Sequence, residues 1–288
     1  MPEYRIITDT CSDLSKALYA QLDVDYASLS VRYGTDTYPS FTEEDDLKPF
    51  YARLRDGEFP GTVGVNPAAW KEVMRPILEA GQDILCIAFS SAMSTTCQSA
   101  IIAAAELEDK FPDRVIRVVD SLCFSTGQAL LLWHACQRRD AGWDLEKVAQ
   151  WCENNKLHVC HWLAMDSLVH LKKGGRIPAD THFPGAMLKM KPLFTITDEG
   201  RFSAPHKARG WKGAMDTMIK HFQKDGQEFD NRTVFIGHGD NPTGAEALAQ
   251  RLREECGVEN VIISCIGGVI GAHTGPDTIA LYYLGKQR

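Results

Sequence analysis

Hydroxyl side chains are concentrated in the segment Phe89–Ala100, which reads FSSAMSTTCQSA. Five of them lie between an apolar run and a helical pattern: Ser90, Ser91, Ser94, Thr95 and Thr96. Hydroxyls at the start of a helix, together with free backbone N–H groups, can bind a carboxylate or a phosphate without a cationic side chain. A redundant helix cap would explain one hydroxyl but not five. The segment therefore predicts an anion-binding loop.

Thr62 and Arg176 lie in two further glycine-containing segments. The segment GTVGVNP (61–67) places Thr62 in a loop just ahead of a predicted helix start. The segment LKKGGRIP (171–178) predicts a short helix that ends at Gly174-Gly175. Arg176 follows, and its guanidinium can bind an anion through paired N–H donors. An ordinary loop and a solvated arginine are the alternatives for these two segments.

His273 is surrounded by glycines in the segment GGVIGAHTGPDTIAL (267–281). Glycines allow the backbone to approach a ligand closely. A structural histidine and a ligand-contacting histidine are equally compatible with this pattern. All four segments lie at the ends of predicted strands, where open α/β sheets bind their ligands. They therefore predict one shared binding site.

Standard enzyme signatures are absent from the sequence. It contains no GxxxxGK[ST], GxGxxG, GxSxG or HExxH motif and no EF-hand loop. His158, Cys160 and His161 suggest a metal, since the first two share one face of a strand, but no further ligands accompany them. Ordinary strand packing is the preferred interpretation, so we expect neither a metal nor a cofactor.

Composition and charge exclude several classes of protein. The 288 residues carry a formal net charge of −7, which is the wrong sign for a surface that binds nucleic acid by charge. Early charges at Glu3, Arg5 and Asp9 argue against an export signal. The run 261–272 is shorter than the ~20 residues of a membrane-spanning helix and is interpreted as a buried strand and a turn. Nine cysteines without a CxxC pair are typical of reduced thiols, so we expect a cytoplasmic protein.

Alternating apolar runs and helical patterns organise the first half of the chain. Strands are predicted at 4–7, 84–89 and 115–119, and helices at 14–22, 67–81, 98–110, 126–139 and 145–155. Ser12-Asp13 is the predicted cap of the first helix, and Asn66-Pro67 that of the second. Buried strands that alternate with helices indicate a parallel sheet covered on both faces.

The second half of the chain shows a different pattern. Strands are predicted at 158–165, 191–197, 201–203, 234–238, 261–266 and 278–284, and helices at 211–223 and 242–255. The turn at 198–200 suggests a hairpin and hence a mixed sheet. We therefore predict an α/β protein of two domains, an N-terminal three-layer α/β/α domain (1–157) with a mainly parallel sheet and a C-terminal α/β domain (158–288) with a mixed sheet. The seam between such domains is a common ligand site.

Several short motifs, taken in order, resemble those of the DegV family of fatty-acid-binding proteins. TDTCSDLS (8–15) is similar to the family pattern TDSxxDL, and FSSAMSTTCQSA is similar to SSxLSGTYQSA. The series continues in family order with VVDS, LKKGGRI, MKPLFTITDEG, KARGWKGAM and GAHTGPDTIAL. The chain departs from the pattern at Thr95, where glycine is usual, at Cys97, where an aromatic is usual, and after Thr62, where VGVNP replaces a segment with Ser-Gln-Pro.

This resemblance implies that two α/β domains enclose one long-chain fatty acid, such as palmitate, stearate or oleate. The carboxylate is then expected near the seam and the acyl chain in an apolar tunnel. Thr62 and Ser94 match the carboxylate-binding hydroxyls of the family, and Ser91 and His273 are further candidates. Arg176 and Arg209 are expected at the mouth, where they orient the head group or dock a partner. Leu130, Leu131, Leu132, Met187, Leu188 and Met190 fit tunnel walls and helix cores equally well.

The resemblance also implies a role as a substrate carrier and not as an enzyme. In the bacterial fatty-acid kinase system, such a protein presents its fatty acid to a separate ATP-binding kinase subunit, which transfers the phosphoryl group. The chain agrees with this division of labour, because it has no phosphate-cradling motif of its own. We therefore expect no catalytic residue, no nucleic-acid partner and no membrane span, and at most transient membrane contact.

Two alternatives belong to other functional classes. A hydrolase of lipid-like esters would use Ser91 or Ser94 with His273 and an acid such as Asp9 or Asp120. A regulatory module would bind another protein and no lipid. Turnover of an ester would identify the first, and an empty or collapsed cleft the second.

Overall fold

Strands and helices alternate along the first half of the chain. The structure, a computed structural model, describes residues 4–40, 43–178, 180–181, 189–203, 206–286 and 288. The strands of this half are β1 (Tyr4–Asp9), β2 (Val24–Ala27), β3 (Ser30–Tyr33), β4 (Asp36–Pro39), β5 (Gly61–Val63), β6 (Asp83–Ala88) and β7 (Ile116–Asp120). Its helices are α1 (Lys16–Gln21), α2 (Glu44–Arg55), α3 (Pro67–Glu79), α4 (Thr96–Glu108), α5 (Thr126–Asp140) and α6 (Leu145–Asn155).

Four parallel strands form the sheet of this half, in the order β2-β1-β6-β7. Helices α3 and α4 pack together on one face, and α5 and α6 pack together on the other. The two central strands, β1 and β6, are buried at all but one position each because both faces of the sheet are covered. The predicted three-layer arrangement is confirmed.

A second sheet in this half was not predicted. It is antiparallel, has the order β4-β3-β5, and places Thr62 opposite Val31. The expectation that Thr62 lies in a loop is therefore wrong. Thr62 lies on β5, which has only three residues and is too short to show the alternating pattern of a strand. The segment is extended because it pairs with β3.

The second half of the chain forms one mixed sheet of six strands, in the order β10-β9-β8-β13-β11-β12. Its strands are β8 (Val159–Ala164), β9 (Met190–Phe194), β10 (His206–Arg209), β11 (Thr233–His238), β12 (Asn260–Cys265) and β13 (Ile279–Leu284). Its helices are α7 (Val169–Lys173), α8 (Gly210–Asp225), α9 (Pro242–Cys256) and α10 (Gly268–Thr274). Only β11 and β12 are parallel in this sheet, which confirms the predicted mixed pattern.

Helix α5 joins the two halves into one core. It contacts β6 of the parallel sheet and β8, β11 and β13 of the mixed sheet. Residues 126–132 are consequently buried on all sides of the helix, which places Leu130, Leu131 and Leu132 in the core and not in a tunnel wall. Gly127 permits this approach, because a Cβ atom there would lie 2.3 Å from Nε2 of His161.

The start of the first helix differs from the prediction. Thr10–Ser12 forms a 3-10 turn, Asp13 adopts a left-handed φ of 53°, and α1 begins after Ser15, whose side chain accepts the N–H of Leu18. The expected cap at Ser12-Asp13 is therefore wrong. The Asn66 cap of α3 is confirmed, since its side chain accepts the N–H of Ala69.

Two further predictions in the second half are wrong. Residues 201–203 form no strand, only a single bridge between Phe202 and Ile196. The segment that follows β12 is the short helix α10 and not a turn, because its glycines allow it to pack closely between neighbouring elements. Met187 and Leu188 lie outside the described residues.

Candidate functional site

A cavity of about 450 Å³ lies between the two halves of the chain. Its volume is within the range of about 300–1,000 Å³ that is usual for small-molecule pockets. The first half contributes Leu29, Thr62, Gly64, Phe89, Ser91, Ala92, Met93, Ser94, Thr95 and Phe124. The second half contributes Arg176, Phe202, Val269, Ile270, His273 and Thr274.

Five of the six predicted site residues come together at this cavity. Thr62 arrives on β5, Ser91 and Ser94 on the loop before α4, Arg176 after α7, and His273 on α10. Arg209 does not line it. It is the last residue of β10, the edge strand of the mixed sheet, and its side chain is exposed.

A hydrogen bond connects the two halves across the cavity, between Oγ1 of Thr62 and Nε2 of His273, at 2.9 Å. Burial lowers the pKa of His273 to about 4, and the nearby Arg176 and His170 act in the same direction. The imidazole is therefore neutral near pH 7. Its Nδ1 atom is buried and has no partner among the described residues. An unpaired N–H is costlier than an unpaired lone pair, so we assign the proton to Nε2 and the donor role to His273.

Gly174 makes room for the His273 ring. A Cβ atom at this position would lie 2.1 Å from Nδ1 of His273, closer than any nonbonded contact allows. Gly174 is the residue that ends α7, as the sequence predicts. The sequence pattern that predicts a helix end at Gly174 does not show that this glycine also makes room for His273.

Substitution of Gly174 by alanine is expected to shift the ring ¹⁵N signals of His273, because His273 must move away from Thr62 to relieve the overlap. Nuclear magnetic resonance of the ligand-free protein measures these signals. Gly175→Ala is the matched control, since a Cβ there meets open space and only its φ of 66° is unfavourable. The control should lose stability and leave the His273 signals unchanged. Unchanged His273 signals in Gly174→Ala would contradict this role of Gly174.

The hydroxyl group of Ser94 is held in place by Thr96, a residue that sequence reasoning did not distinguish from its neighbours. Oγ of Ser94 accepts the N–H of Thr96 at 3.2 Å and shares a hydrogen bond of 2.9 Å with Oγ1 of Thr96. Oγ1 of Thr96 also accepts the N–H of Val65 at 3.2 Å. Gly64 lies so close that a Cβ there would be 3.1 Å from Oγ of Ser94. The loop after β5 therefore holds the Ser94 hydroxyl in place.

Ser91 and Arg176 both line the cavity and are exposed. The N–H of Ser91 donates to Oδ1 of Asp120 at 3.1 Å, which fixes the loop. Nη1 of Arg176 donates to the carbonyl oxygen of Gly174 at 2.6 Å. No aspartate or glutamate is among the described residues that line the cavity. One guanidinium and several hydroxyls make the cavity suitable for an anion.

Much of the cavity lining is apolar. It includes buried or half-buried side chains that sequence reasoning did not identify: Leu29, Phe89, Met93, Phe124, Phe202, Val269 and Ile270. The rings of Phe124 and Phe202 lie 5.0 Å apart and join the two halves. Nothing in the local sequence distinguishes these residues from ordinary core residues. The cavity thus combines polar groups with apolar walls, which suits an amphipathic anion.

The model of the family described as "Uncharacterised protein, DegV family" matches residues 3–286 of the chain. This chain belongs to the DegV family. The resemblance seen in its motifs is confirmed.

Relatives within the DegV family match over the whole chain. A DegV domain-containing protein of Clostridium perfringens is 36% identical over 289 residues, which cover 100% of this chain and 99% of the relative. The structure of a DegV family protein from Thermus thermophilus, described as fatty acid binding, is 30% identical with a TM-score of 0.86, and 98% of this chain and 99% of that chain are covered. A Thermotoga maritima structure, described as revealing a fatty acid binding function, is 26% identical with a TM-score of 0.84, and the coverage is 99% and 100%.

Two of the three departures from the DegV family pattern, Thr95 and Cys97, fit their surroundings in the structure. Thr95 caps α4 with a φ of −76°, an ordinary conformation that does not need the glycine usual in the family. Cys97 is buried with 1% exposure, and burial raises the pKa of its thiol to about 12. It fills core space as a neutral side chain. All nine cysteines are free thiols.

The described residues of this DegV protein do not show the serine–histidine–acid arrangement that the hydrolase alternative requires. Asp9 is fully buried and accepts the N–H groups of Phe89 and Cys11, while Asp120 accepts those of Ser91 and Leu122. Neither acid bonds to His273 in the described part of the chain. A serine nucleophile needs a histidine that an acid orients, so the arrangement favours binding over acyl transfer.

Neither a metal site nor a membrane span is found in the described residues. They contain no group of three or more histidine, cysteine or acidic residues that could hold an ion. The ring nitrogens of His161 instead meet the carbonyl of Val159 and the N–H of Phe124. No described helix has the length and apolarity that crossing a membrane requires.

Proposed function

We propose that this protein binds one long-chain fatty acid, such as palmitate, stearate or oleate, in the cavity between its two halves. The carboxylate lies at the end lined by Thr62, Ser91, Ser94 and His273, and the acyl chain lies along the phenylalanine-lined walls. The observation that carries this proposal is the pairing of organised hydroxyls with an apolar space in one cavity. The fatty acid binding described for the Thermus thermophilus and Thermotoga maritima proteins supports it.

The hydrogen bonds leave two hydroxyl protons free for a carboxylate. Because Nε2 of His273 donates to Thr62, the Thr62 O–H group is available as a donor. Thr96 can donate its hydroxyl proton to Ser94, so that Ser94 accepts two hydrogen bonds and its own O–H group is available. Two fixed donors that converge on one end of the cavity suit the two oxygens of a carboxylate.

The acyl chain supplies most of the binding free energy. Transfer of each methylene from water is worth about 0.8 kcal/mol, so even a partly buried chain gives an affinity that survives purification. A fatty acid bound this tightly dissociates slowly, so a reaction on its carboxylate has to occur while it is bound to this protein. We therefore propose that the protein is a carrier and has no catalytic residue or cofactor of its own.

We further propose that a separate ATP-dependent kinase subunit phosphorylates the bound fatty acid. A carboxylate oxygen would attack the γ-phosphorus of ATP, forming the O–P bond of an acyl phosphate and releasing ADP. Neutral hydroxyl donors support this, because a full arginine clamp would reduce the nucleophilicity of the carboxylate. Exposed Arg176 at the mouth is suited to orient the head group. Arg209, outside the cavity, is suited to dock the kinase. A cytoplasmic location, where ATP is abundant, agrees with this role.

Native mass spectrometry of freshly purified protein, followed by solvent extraction, tests the carrier function. One fatty acid per chain is expected. Protein that carries no lipid and does not bind added palmitate or oleate would contradict the proposal.

Incubation with labelled palmitate, Mg-ATP and hydroxylamine, which traps acyl phosphate, tests the division of labour. This protein alone should give no hydroxamate, and addition of a fatty-acid kinase subunit should give it. Product formed without that subunit would contradict the carrier role.

A further inference from the structure

Asp13 lies at the seam, where it contacts groups that are distant in the sequence. Its exposure is only 2%. Oγ of Ser125, at the start of α5, donates to Oδ2 of Asp13 at 2.6 Å. Oγ of Ser264, on β12, donates to the backbone oxygen of Asp13 across 251 residues of sequence. The residue therefore links a loop of the first half to the mixed sheet of the second.

The backbone of Asp13 is in an unfavourable conformation. Its φ of 53° is in the left-handed region, which few residues other than glycine adopt. Such a conformation persists where surrounding contacts determine it. No part of the proposed carboxylate site uses Asp13, although it belongs to the TDTCSDLS motif.

Helix α10 begins directly beside Asp13. Gly267 precedes the helix and has no side chain to cap it, so the first N–H groups need an acceptor from elsewhere. The Asp13 carboxyl group interacts with the N–H of Gly267. The helix has only 7 residues and ends just after His273, so its first turn sets the direction in which the histidine points.

The opposite side of α10 rests on α2. A Cβ atom at Gly271 would lie 2.6 Å from the hydroxyl oxygen of Tyr51, which donates to the carbonyl of Ile266 at 2.7 Å. The helix thus contacts Asp13 at its start and an aromatic side chain at its middle, and it also packs on α7 and β3.

We propose that Asp13 is a positioning residue, which fixes the start of α10 and thereby holds His273 against Thr62. For its effect on fatty-acid affinity, this inference rests on the proposed function. The contact between His273 and Thr62 can be measured without any ligand.

The chemical state of Asp13 sets the choice of variants. Burial raises the pKa of Asp13 to about 8, and nearby Asp9 acts in the same direction, while Ser125 and Gly267 oppose the shift. Near pH 7 the side chain is therefore mostly a neutral acid, and asparagine has nearly the same shape. Asp13→Asn should keep α10 in place, whereas Asp13→Ala leaves Ser125 and Gly267 without their partner.

The experiment is a double-mutant cycle with Asp13→Ala and His273→Ala, measured as palmitate affinity at pH 7. Asp13→Ala is expected to weaken binding about ten-fold in the wild-type background. It should have little effect in the His273→Ala background, because it acts through the histidine. Asp13→Asn should bind palmitate with the same affinity as the wild type. Ser125→Ala, which removes one hydrogen bond to the Asp13 carboxyl group and keeps Asp13 itself, replaces Asp13→Ala if that variant does not fold.

The histidine itself provides the second readout, through the ring ¹⁵N signals of His273 in ligand-free protein. Asp13→Ala should shift these signals, and Asp13→Asn should not. Asn231→Ala is the control for general destabilisation, because its three hydrogen bonds join Gly226 and Leu284, away from α10. It should leave the signals of His273 unchanged.

Equal effects of Asp13→Ala in both backgrounds, or unchanged His273 signals, would overturn the positioning role. If the wild-type protein binds no palmitate, the proposed function fails. The ¹⁵N signals then decide the role of Asp13 by themselves.

Discussion

Simultaneous replacement of Thr62 by valine and Ser94 by alanine is expected to weaken palmitate binding at least about 100-fold, because each hydrogen bond to a charged group is worth about 1.5–3 kcal/mol. Both side chains line the cavity, and both hydroxyl oxygens already accept hydrogen bonds from neighbours. The double variant therefore lacks two O–H donors that would otherwise bind the carboxylate. Titration calorimetry on delipidated protein measures the effect.

A ligand without a carboxylate separates this effect from damage to the cavity. Hexadecanol has the same apolar chain, so its affinity should change much less than that of palmitate between wild type and the double variant. Thr217→Val is the matched control, since the Thr217 hydroxyl donates to the carbonyl oxygen of Gly213 within α8 and Thr217 does not line the cavity. If palmitate binds the double variant as tightly as the wild type, these hydroxyls do not hold its head group.

The free energy of unfolding should fall with rising pH in the wild type and much less in Asp13→Asn. The pKa of Asp13 is raised from 3.8 to about 8, so between these values the folded state holds a proton that the unfolded state has released. Stabilisation from this proton is complete below pH 4 and is lost as the pH rises through 8, at up to about 1.4 kcal/mol per pH unit. Urea denaturation at pH 5, 6, 7 and 8 measures the difference between the two proteins.

Comparison of the two proteins removes the contributions of other titrating groups. Burial also raises the pKa of Asp9, to about 6, and lowers the pKa of His134 and of His273 to about 4. These groups are present in both proteins and largely cancel in the difference. Parallel stability profiles would mean that Asp13 does not hold a proton in the folded state.

Local features of the fold could be predicted from the sequence where neighbouring residues cause them. The Asn66 cap of α3 and the end of α7 at Gly174 depend on groups only a few residues apart. Strand β6 of the parallel sheet is a continuous apolar run after Asp83, a pattern that is typical of a strand buried on both faces. The domain boundary between residues 157 and 158 stays a prediction.

The elements that were missed depend on distant partners. Strand β5 is three residues long and is extended only because β3 pairs with it. Helix α10 is rich in glycine, a poor helix former, and is held by contacts with α2 and α7. Arg209 was expected near the mouth because of its position in a motif. The edge of the mixed sheet, where β10 pairs with β9, places it elsewhere.

The family, the α/β class and the chemical character of the site could be predicted from the chain alone, because they depend on motif order, apolar runs and hydroxyl-rich loops. The contacts that arrange the site could not: Thr62 bonds to His273 from 211 residues away, Gly174 makes room for this histidine, and Asp13 bonds to Ser264. These are contacts between groups brought together by packing. No local pattern encodes them, since each depends on where two separate elements meet.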